Sequence, residues 1–166
     1  MKVYHGSSIE VIHPLVDAGR NNLDFGNGFY VTNLRDQAEK WARTIVRLRP
    51  QSIAKLNCYE LDYETIRLNS SYRILHFEDY NEDWLDFVID NRRGGICWKE
   101  YDLIEGGIAN DRVFDTIENY IAGAVSKEYA LGRLRYEKPN NQICILNQEL
   151  IEKYLHWLEC ITLNNG

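Results

Sequence analysis

The sequence has no long hydrophobic run. No stretch approaches the ~20 consecutive apolar residues that a transmembrane helix needs. The N-terminal residues also lack a basic segment followed by an apolar core and a small-residue cleavage site, which is the pattern of a secretory signal. These absences argue against a membrane span, and we expect a cytoplasmic protein without a membrane partner.

The four cysteines are widely spaced, and this spacing excludes the common zinc-binding and disulfide-exchange motifs. Cys58, Cys97, Cys144 and Cys160 form no CxxC pair and have no histidine at ligand spacing. We therefore predict buried, reduced thiols and assign no metal.

Positive charge is also in deficit, with 19 Lys and Arg against 25 Asp and Glu, a net charge of -6. General nucleic-acid affinity depends mostly on Lys and Arg that neutralise phosphates, so this class is disfavoured. Hydrophobic residues make up 45% of the 166 residues and aromatic ones 12%, which is enough to bury a core. We predict one domain over residues 1–166.

Apolar patterning predicts strands at both ends of the chain and helices clustered between them, which is typical of an α+β fold. The predicted strands cover residues 2–5, 28–32, 52–61, 101–104, 142–146 and 157–163. The first predicted helix is capped by Asn33 and stopped by Pro50, and a turn and short helix follow over residues 63–72. Further helices are predicted over residues 81–90, in a segment capped by Asp111, and over residues 126–135 and 147–155.

Two short segments near the N-terminus combine a polar ring with glycine. They read Tyr4-His5-Gly6-Ser7 and Gly26-Asn27-Gly28-Phe29-Tyr30. Glycine lets a backbone approach a ligand closely, and His and Tyr offer hydrogen bonds and a flat stacking face. The pair therefore predicts two walls of a binding pocket, although each ring alone is typical of a structural strand residue.

Together with a late Asn141-Gln142 strand, these segments resemble the ADP-ribosyltransferase superfamily. The likeness is to the His-Tyr-[Glu/Asp/Gln] branch related to poly(ADP-ribose) polymerases and diphtheria-like toxins, and most closely to an uncharacterised bacterial family (DUF3990-like). The resemblance spans nearly the full length of the chain. It implies an ADP-ribosyltransferase-like fold, in which two small packed antiparallel sheets form an NAD cleft surrounded by helices.

The resemblance also assigns roles to residues of the NAD cleft. His5 would hold the adenosine ribose, Gly6 would offer backbone groups to the nicotinamide amide, and Tyr30 would line the nicotinamide-ribose site. Ser7 and Gly28 complete the predicted cofactor-binding set. Trp41 would stack on the other nicotinamide face, but it also lies on the apolar stripe of its helix, where a core role is at least as well supported.

The third catalytic element departs from the usual pattern, because Gln142 stands where a Glu is expected. An amide can orient the ribose but supplies no formal negative charge. The acidic, glycine-containing segment 102–111 could supply a carboxylate, and Asp111 joins His5, Tyr30 and Gln142 as a catalytic candidate. From the residues alone, Asp111 is better explained as a helix cap.

The resemblance implies an NAD-dependent mono-ADP-ribosyltransferase that uses NAD as substrate and needs no metal. The alternatives are an NAD glycohydrolase, in which water is the acceptor, and a non-catalytic NAD or ADP-ribose binding module. The acidic composition favours a protein over a nucleic acid as acceptor. By family analogy the domain is the toxin of a bacterial toxin–antitoxin pair, so an antitoxin protein is the expected partner.

Overall fold

The computed structural model describes residues 1–49, 51–108, 111–135 and 140–164, with only the backbone of residues 111 and 112. These ranges form two small sheets and six α-helices, so the α+β prediction is confirmed. No helix in them has the length and apolar character that a membrane crossing requires.

Strands and helices alternate irregularly along the chain. The strands are β1 (Lys2–Ser7), β2 (Phe29–Val31), β3 (Lys55–Leu61), β4 (Ile74–His76), β5 (Leu103–Gly106), β6 (Gln142–Ile145) and β7 (Leu155–Thr162). The helices are α1 (Arg35–Arg47), α2 (Tyr63–Leu68), α3 (Glu82–Arg92), α4 (Asp111–Ile121), α5 (Lys127–Leu134) and α6 (Gln148–Tyr154), with a 3₁₀ turn at Cys97–Glu100. Most predicted elements lie within a few residues of these bounds.

The first sheet has the order β1-β3-β7 and is antiparallel throughout. The second has the order β2-β6-β5-β4, and its β4–β5 pair is parallel. The expectation of two antiparallel sheets is therefore wrong at β4, a strand that the sequence did not predict. The chain between β4 and β5 contains α3, and a crossover of this kind is what a parallel pair needs.

Side-chain caps explain where several helices begin. Asp62, Asn81, Ser126 and Asn147 each accept a backbone N–H from the first turn of the helix that follows. The predicted cap of α1 is wrong, because Asn33 precedes the N-cap position and its side chain accepts a hydrogen bond from Asn141 instead.

Three clusters of buried residues hold the layers together. Between the sheets lie side chains from both, including Val3, Tyr59, Phe29 and Ile143. Helices α3, α4 and α5 cover the other face of the second sheet, where Trp84 is fully buried. Helix α1 covers the outer face of the first sheet through small residues.

The two sheets meet where β1 passes β2. Tyr4 and Thr32 exchange both backbone hydrogen bonds across this point, with N···O distances of 2.8 and 2.9 Å. Residues that follow Tyr4 on β1 therefore lie next to β2, although the two strands belong to different sheets.

The cysteines lie on or near these layers as free thiols. Cys58 and Cys144 are buried, as predicted, whereas Cys97 and Cys160 are half-buried.

Gly6 is expected to be required for the packing of α1. A Cβ atom at Gly6 would lie 2.1 Å from the Ala38 carbonyl oxygen, which is backbone and cannot turn aside. We predict that Gly6→Ala lowers the free energy of unfolding in urea by about 1–3 kcal/mol. Gly132→Ala is the matched control: nothing lies within 4 Å of its Cβ position on α5, so stability should rise by about 0.5–1 kcal/mol. Equal stability of the two variants would contradict this packing.

Candidate functional site

His5 lies on β1 and is tied to β2. Its Nδ1 is 2.8 Å from the Tyr30 carbonyl oxygen, and its ring lies against Phe29 with centroids 4.7 Å apart. A carbonyl oxygen only accepts, so Nδ1 carries the proton and Nε2 presents a lone pair. Burial lowers the pKa of His5, which favours the neutral ring. His5 is thus a fixed, neutral imidazole with one acceptor nitrogen that has no hydrogen-bond partner among the described residues.

Tyr30 is held by its own loop. Its hydroxyl donates to the Gly26 carbonyl oxygen at 2.7 Å and accepts from the Phe25 backbone N–H at 3.1 Å. Burial raises the pKa of Tyr30 well above its ordinary value, so the hydroxyl stays protonated. Both hydrogen-bonding functions of the hydroxyl are therefore engaged within the protein, and the ring packs against the buried cluster that includes Phe25 and Cys144.

Gln142 begins β6, beside β2. Tyr30 is paired with Cys144, and Gln142 precedes Cys144 by two residues, so Tyr30 and Gln142 project from the same face of the sheet. Diagonal neighbours of this kind are about 7–8 Å apart. The half-buried Gln142 amide makes no hydrogen bond to any side chain or backbone group in the described ranges.

Trp41 corrects one interpretation of the sequence. It is 46% exposed, so it is not a core residue, and the Arg20 guanidinium carbon lies 5.5 Å from its ring centroid. Helix α1 contacts the sheet through Ala38 and Ala42, because the close approach at Gly6 leaves room only for small side chains. Trp41 therefore offers a ring face that already attracts a cation.

The predicted glycines and Ser7 have structural partners. A Cβ atom at Gly28 would lie 2.5 Å from Cys144 Sγ, so Gly28 permits close packing of β2 on β6, as Gly6 does for α1. Ser7 Oγ accepts the Ile9 backbone N–H at 3.2 Å, in the turn after β1. These contacts give each residue a role in the fold, and their predicted contacts with NAD stay predictions.

Asp111 is the first residue of α4, but its side chain lies outside the described residues. Its roles as a cap and as a catalytic acid therefore stay predictions.

Glu105 is a residue that the sequence reasoning did not select. It lies on β5, is only 9% exposed, and accepts hydrogen bonds from the Tyr63 hydroxyl and, at 3.1 Å, from Asn141 Nδ2. In the sequence, Glu105 lies in the acidic segment 102–111, directly after the predicted strand 101–104, whereas the structure extends this strand to Gly106. A buried carboxylate needs hydrogen bonds or an ion pair, so such an acid marks a constructed polar site.

Two open clefts of about 550 and 540 Å³ flank β4, and both include His76. The first also contains Glu105, whereas neither is lined by His5, Tyr30 or Gln142. Among the side chains that the structure describes, no group of three His, Cys, Asp or Glu is arranged to hold a metal ion. Among the residues predicted for NAD, the structure joins His5 to the backbone carbonyl of Tyr30 and places Tyr30 and Gln142 on one face of the second sheet. The His5 ring lies against Phe29, which alternates with Tyr30 and so projects to the other face.

Residues 1–157 match the family described as "Protein of unknown function (DUF3990)". The chain belongs to the DUF3990 family. No curated protein and no solved structure matches it. The family match confirms the predicted DUF3990 relationship, and it covers every candidate site residue of this DUF3990 chain.

The stability of this DUF3990 chain should depend on pH through His5. Because the folded pKa is lowered, the unfolded chain binds a proton below about pH 6.5 while the folded ring is still neutral. Stability should therefore fall as the pH drops from 7.5 to 5, by at most about 1.4 kcal/mol for each pH unit. His5→Asn keeps an N–H donor for Tyr30 and should lose this part of the pH dependence in urea unfolding.

The exposed His156 on β7 provides the control for the loss of a histidine. His156→Asn should keep the wild-type pH dependence. If His5→Asn and wild type show the same slope, the His5 ring is not held neutral by burial.

Proposed function

We propose that this DUF3990 protein is an NAD-dependent mono-ADP-ribosyltransferase. The observation that carries the proposal is that the fold brings β1, β2 and β6, the strands of His5, Tyr30 and Gln142, side by side. The His5–Tyr30 hydrogen bond joins β1 to β2, and the β2–β6 register aligns Tyr30 with Gln142 on one face. This is the set of residues in which the sequence resembles ADP-ribosyltransferases.

The state of each group suits the role that the resemblance implies. His5 Nε2 is a neutral acceptor suited to a ribose hydroxyl of the adenosine half. Tyr30 offers a ring fixed by its own hydroxyl, and Trp41 offers an exposed ring that now contacts Arg20. The nicotinamide ring of NAD is flat and cationic, so it can replace the Arg20 guanidinium on Trp41 through stacking and cation–π attraction.

The proposed reaction breaks the bond between the ribose C1′ and the nicotinamide nitrogen. The bonding electron pair leaves with nicotinamide, which becomes neutral, and an acceptor nucleophile forms a new bond to C1′ and releases its proton. Gln142 would hold the nicotinamide ribose, and binding NAD in a constrained conformation would promote departure of the ring. A single transfer fits Gln142 better than chain elongation does, because its amide lacks the charge of the usual Glu.

The acceptor is proposed to be a protein, in keeping with the net charge of -6. An antitoxin that neutralises the domain is proposed from the resemblance.

A second candidate is a binding module for NAD or ADP-ribose without chemistry. The neutral amide of Gln142 is the observation that favours it, since such a group stabilises a positively charged transition state less than a carboxylate does. NAD binding without nicotinamide release would identify this function. Release without any labelled acceptor would identify a glycohydrolase.

The direct test incubates the purified protein with NAD and follows free nicotinamide by liquid chromatography. We expect release by wild type, at a rate reduced about tenfold or more in His5→Ala and Gln142→Ala, because each removes a contact to a ribose. His156→Ala should behave as wild type. Identical rates in wild type and both site variants would refute the assignment.

Replacing Gln142 by Glu tests the same position in the opposite direction. The carboxylate adds negative charge where positive charge develops on the ribose, so Gln142→Glu should release nicotinamide faster than wild type. The matched control is Gln148→Glu, which adds the same charge on α6 and should not raise the rate of nicotinamide release. A rate that does not rise in a folded Gln142→Glu protein that binds NAD would contradict the proposed place of Gln142.

Trp41→Ala should weaken NAD binding without unfolding the chain, because Trp41 is 46% exposed. Loss of the stacking and cation–π contact predicts a KM for NAD that is about 2- to 30-fold higher. Trp157→Ala, which removes a 36% exposed ring on β7, is the control and should leave KM unchanged. Equal KM values for the two variants would show that Trp41 is not part of the site.

A further inference from the structure

The buried carboxylate of Glu105 calls for an explanation. Glu105 is 9% exposed on the central strand β5, and no Lys or Arg in the described ranges forms an ion pair with it. Unpaired buried carboxylates are costly, so they occur where hydrogen bonds to them hold something in place. Within the described ranges, its hydrogen-bond donors are Tyr63, on α2, and Asn141, directly before β6.

Both donors depend on a carboxylate at this position. Burial, and then the hydrogen bond to Glu105, raise the pKa of Tyr63, so its hydroxyl remains a donor. Each carboxylate oxygen accepts one of the two donors, Oε2 from Tyr63 and Oε1 from Asn141. An amide has only one acceptor oxygen, so it cannot replace both contacts without moving one partner.

Asn141 is fixed from several other directions. Its carbonyl oxygen accepts from Thr32 Oγ1 at 2.6 Å and from Gln37 Nε2 at 3.1 Å. Its side-chain nitrogen also donates to Asn33 Oδ1 at 3.0 Å. Asn141 is therefore the point where β5, the end of β2 and the first turn of α1 are joined.

Gln142 follows Asn141 directly and is paired with Gly106, whereas Glu105 is paired with Ile143. Neighbouring residues of a strand project to opposite faces, so Glu105 and Gln142 lie on opposite sides of the sheet. A rotation of the backbone at Asn141 would turn Gln142 as well. The Gln142 amide has no hydrogen bond of its own in the described ranges, so its orientation depends on this backbone.

We infer that Glu105 is a positioning residue: through its hydrogen bond to Asn141 it holds the start of β6 and thereby orients the Gln142 amide. The inference rests on the proposed function only for its kinetic consequence. Its structural part concerns the folded chain without NAD.

Side-chain amide NMR tests the structural part without NAD. In ¹H–¹⁵N spectra, Glu105→Gln should displace the side-chain amide signals of both Asn141 and Gln142. Glu149→Gln is the matched control and should leave the signals of Asn141 and Gln142 in place. Glu149 also accepts from a tyrosine hydroxyl, that of Tyr72 at 3.3 Å, but it lies on α6, away from the hydrogen bonds of Glu105 and Asn141. Displaced Asn141 signals with unchanged Gln142 signals would overturn the inference, whether or not the protein cleaves NAD.

The kinetic part is tested on nicotinamide release. Glu105→Gln should lower kcat about 10- to 100-fold, because misplacement of a reacting-site group has effects of this size. KM for NAD should change less than twofold, since the other binding residues keep their places. A purely structural role would lower thermal stability and leave kcat per folded molecule unchanged, and that result would overturn the inference.

An exchange of partners sharpens the test. Asn141→Asp alone places two carboxylates against each other and should lower kcat more than Glu105→Gln does. The double variant Glu105→Gln with Asn141→Asp restores one carboxylate and one amide. The double variant should recover most of kcat and the wild-type position of the Gln142 amide signals, and failure of a folded double variant to recover either would contradict the inference. Should Glu105→Gln not fold, Asn141→Asp alone removes the donor to Glu105 Oε1 and should show the kcat loss; unchanged kcat in a folded Asn141→Asp protein would count against the inference.

Absence of NAD cleavage in wild type would refute the proposed function, and the NMR comparison would still decide the role of Glu105.

Discussion

The hydrogen bond from His5 Nδ1 to the Tyr30 carbonyl oxygen connects the two sheets at the point on which the candidate site depends. It follows directly from the backbone bridge between Tyr4 and Thr32, which brings β1 against β2. The imidazole belongs to one sheet and the tyrosine and glutamine to the other, and this junction is what holds the two strands β1 and β2 together. The fold thus brings the strands that carry residues 5, 30 and 142 side by side.

The same junction explains why small residues are found around it. Gly6 lets α1 approach β1, and Gly28 lets β2 approach β6. Close packing by α1 then leaves Trp41 outside the contact, with its ring exposed and next to Arg20. Gly6 and Gly28, which the sequence suggested for ligand contact, therefore also serve the packing of the fold, and the two roles are compatible because both need close backbone approach.

Local patterns in the sequence predicted much of the fold. The rhythm of apolar residues located α1, α3 and β3, and the predicted helices over residues 81–90 and 126–135 start at Asn81 and Ser126, which are the N-caps of α3 and α5. β4 was missed because three half-buried or exposed residues are too few to show a strand period. Asn33 was misread because its partner, Asn141, is 108 residues away, and no local rule contains that contact.

The candidate site was predictable as a set of residues through the resemblance, but not as a geometry. Nothing in the local sequence indicated that Tyr30 uses its hydroxyl within its own loop, or that Glu105 lies beneath the strand start that carries Gln142. Long-range pairing decides both, since the register of β2, β5 and β6 sets which face each side chain occupies.

The most direct measurement of the central claim is the ¹⁵N spectrum of the His5 imidazole during titration with NAD. The account predicts that the Nε2 resonance shifts as it accepts a ribose hydroxyl, while Nδ1 stays protonated against Tyr30. If NAD at saturating concentration leaves Nε2 unchanged, or instead perturbs residues around the clefts at β4, the junction of β1 and β2 is not the NAD site.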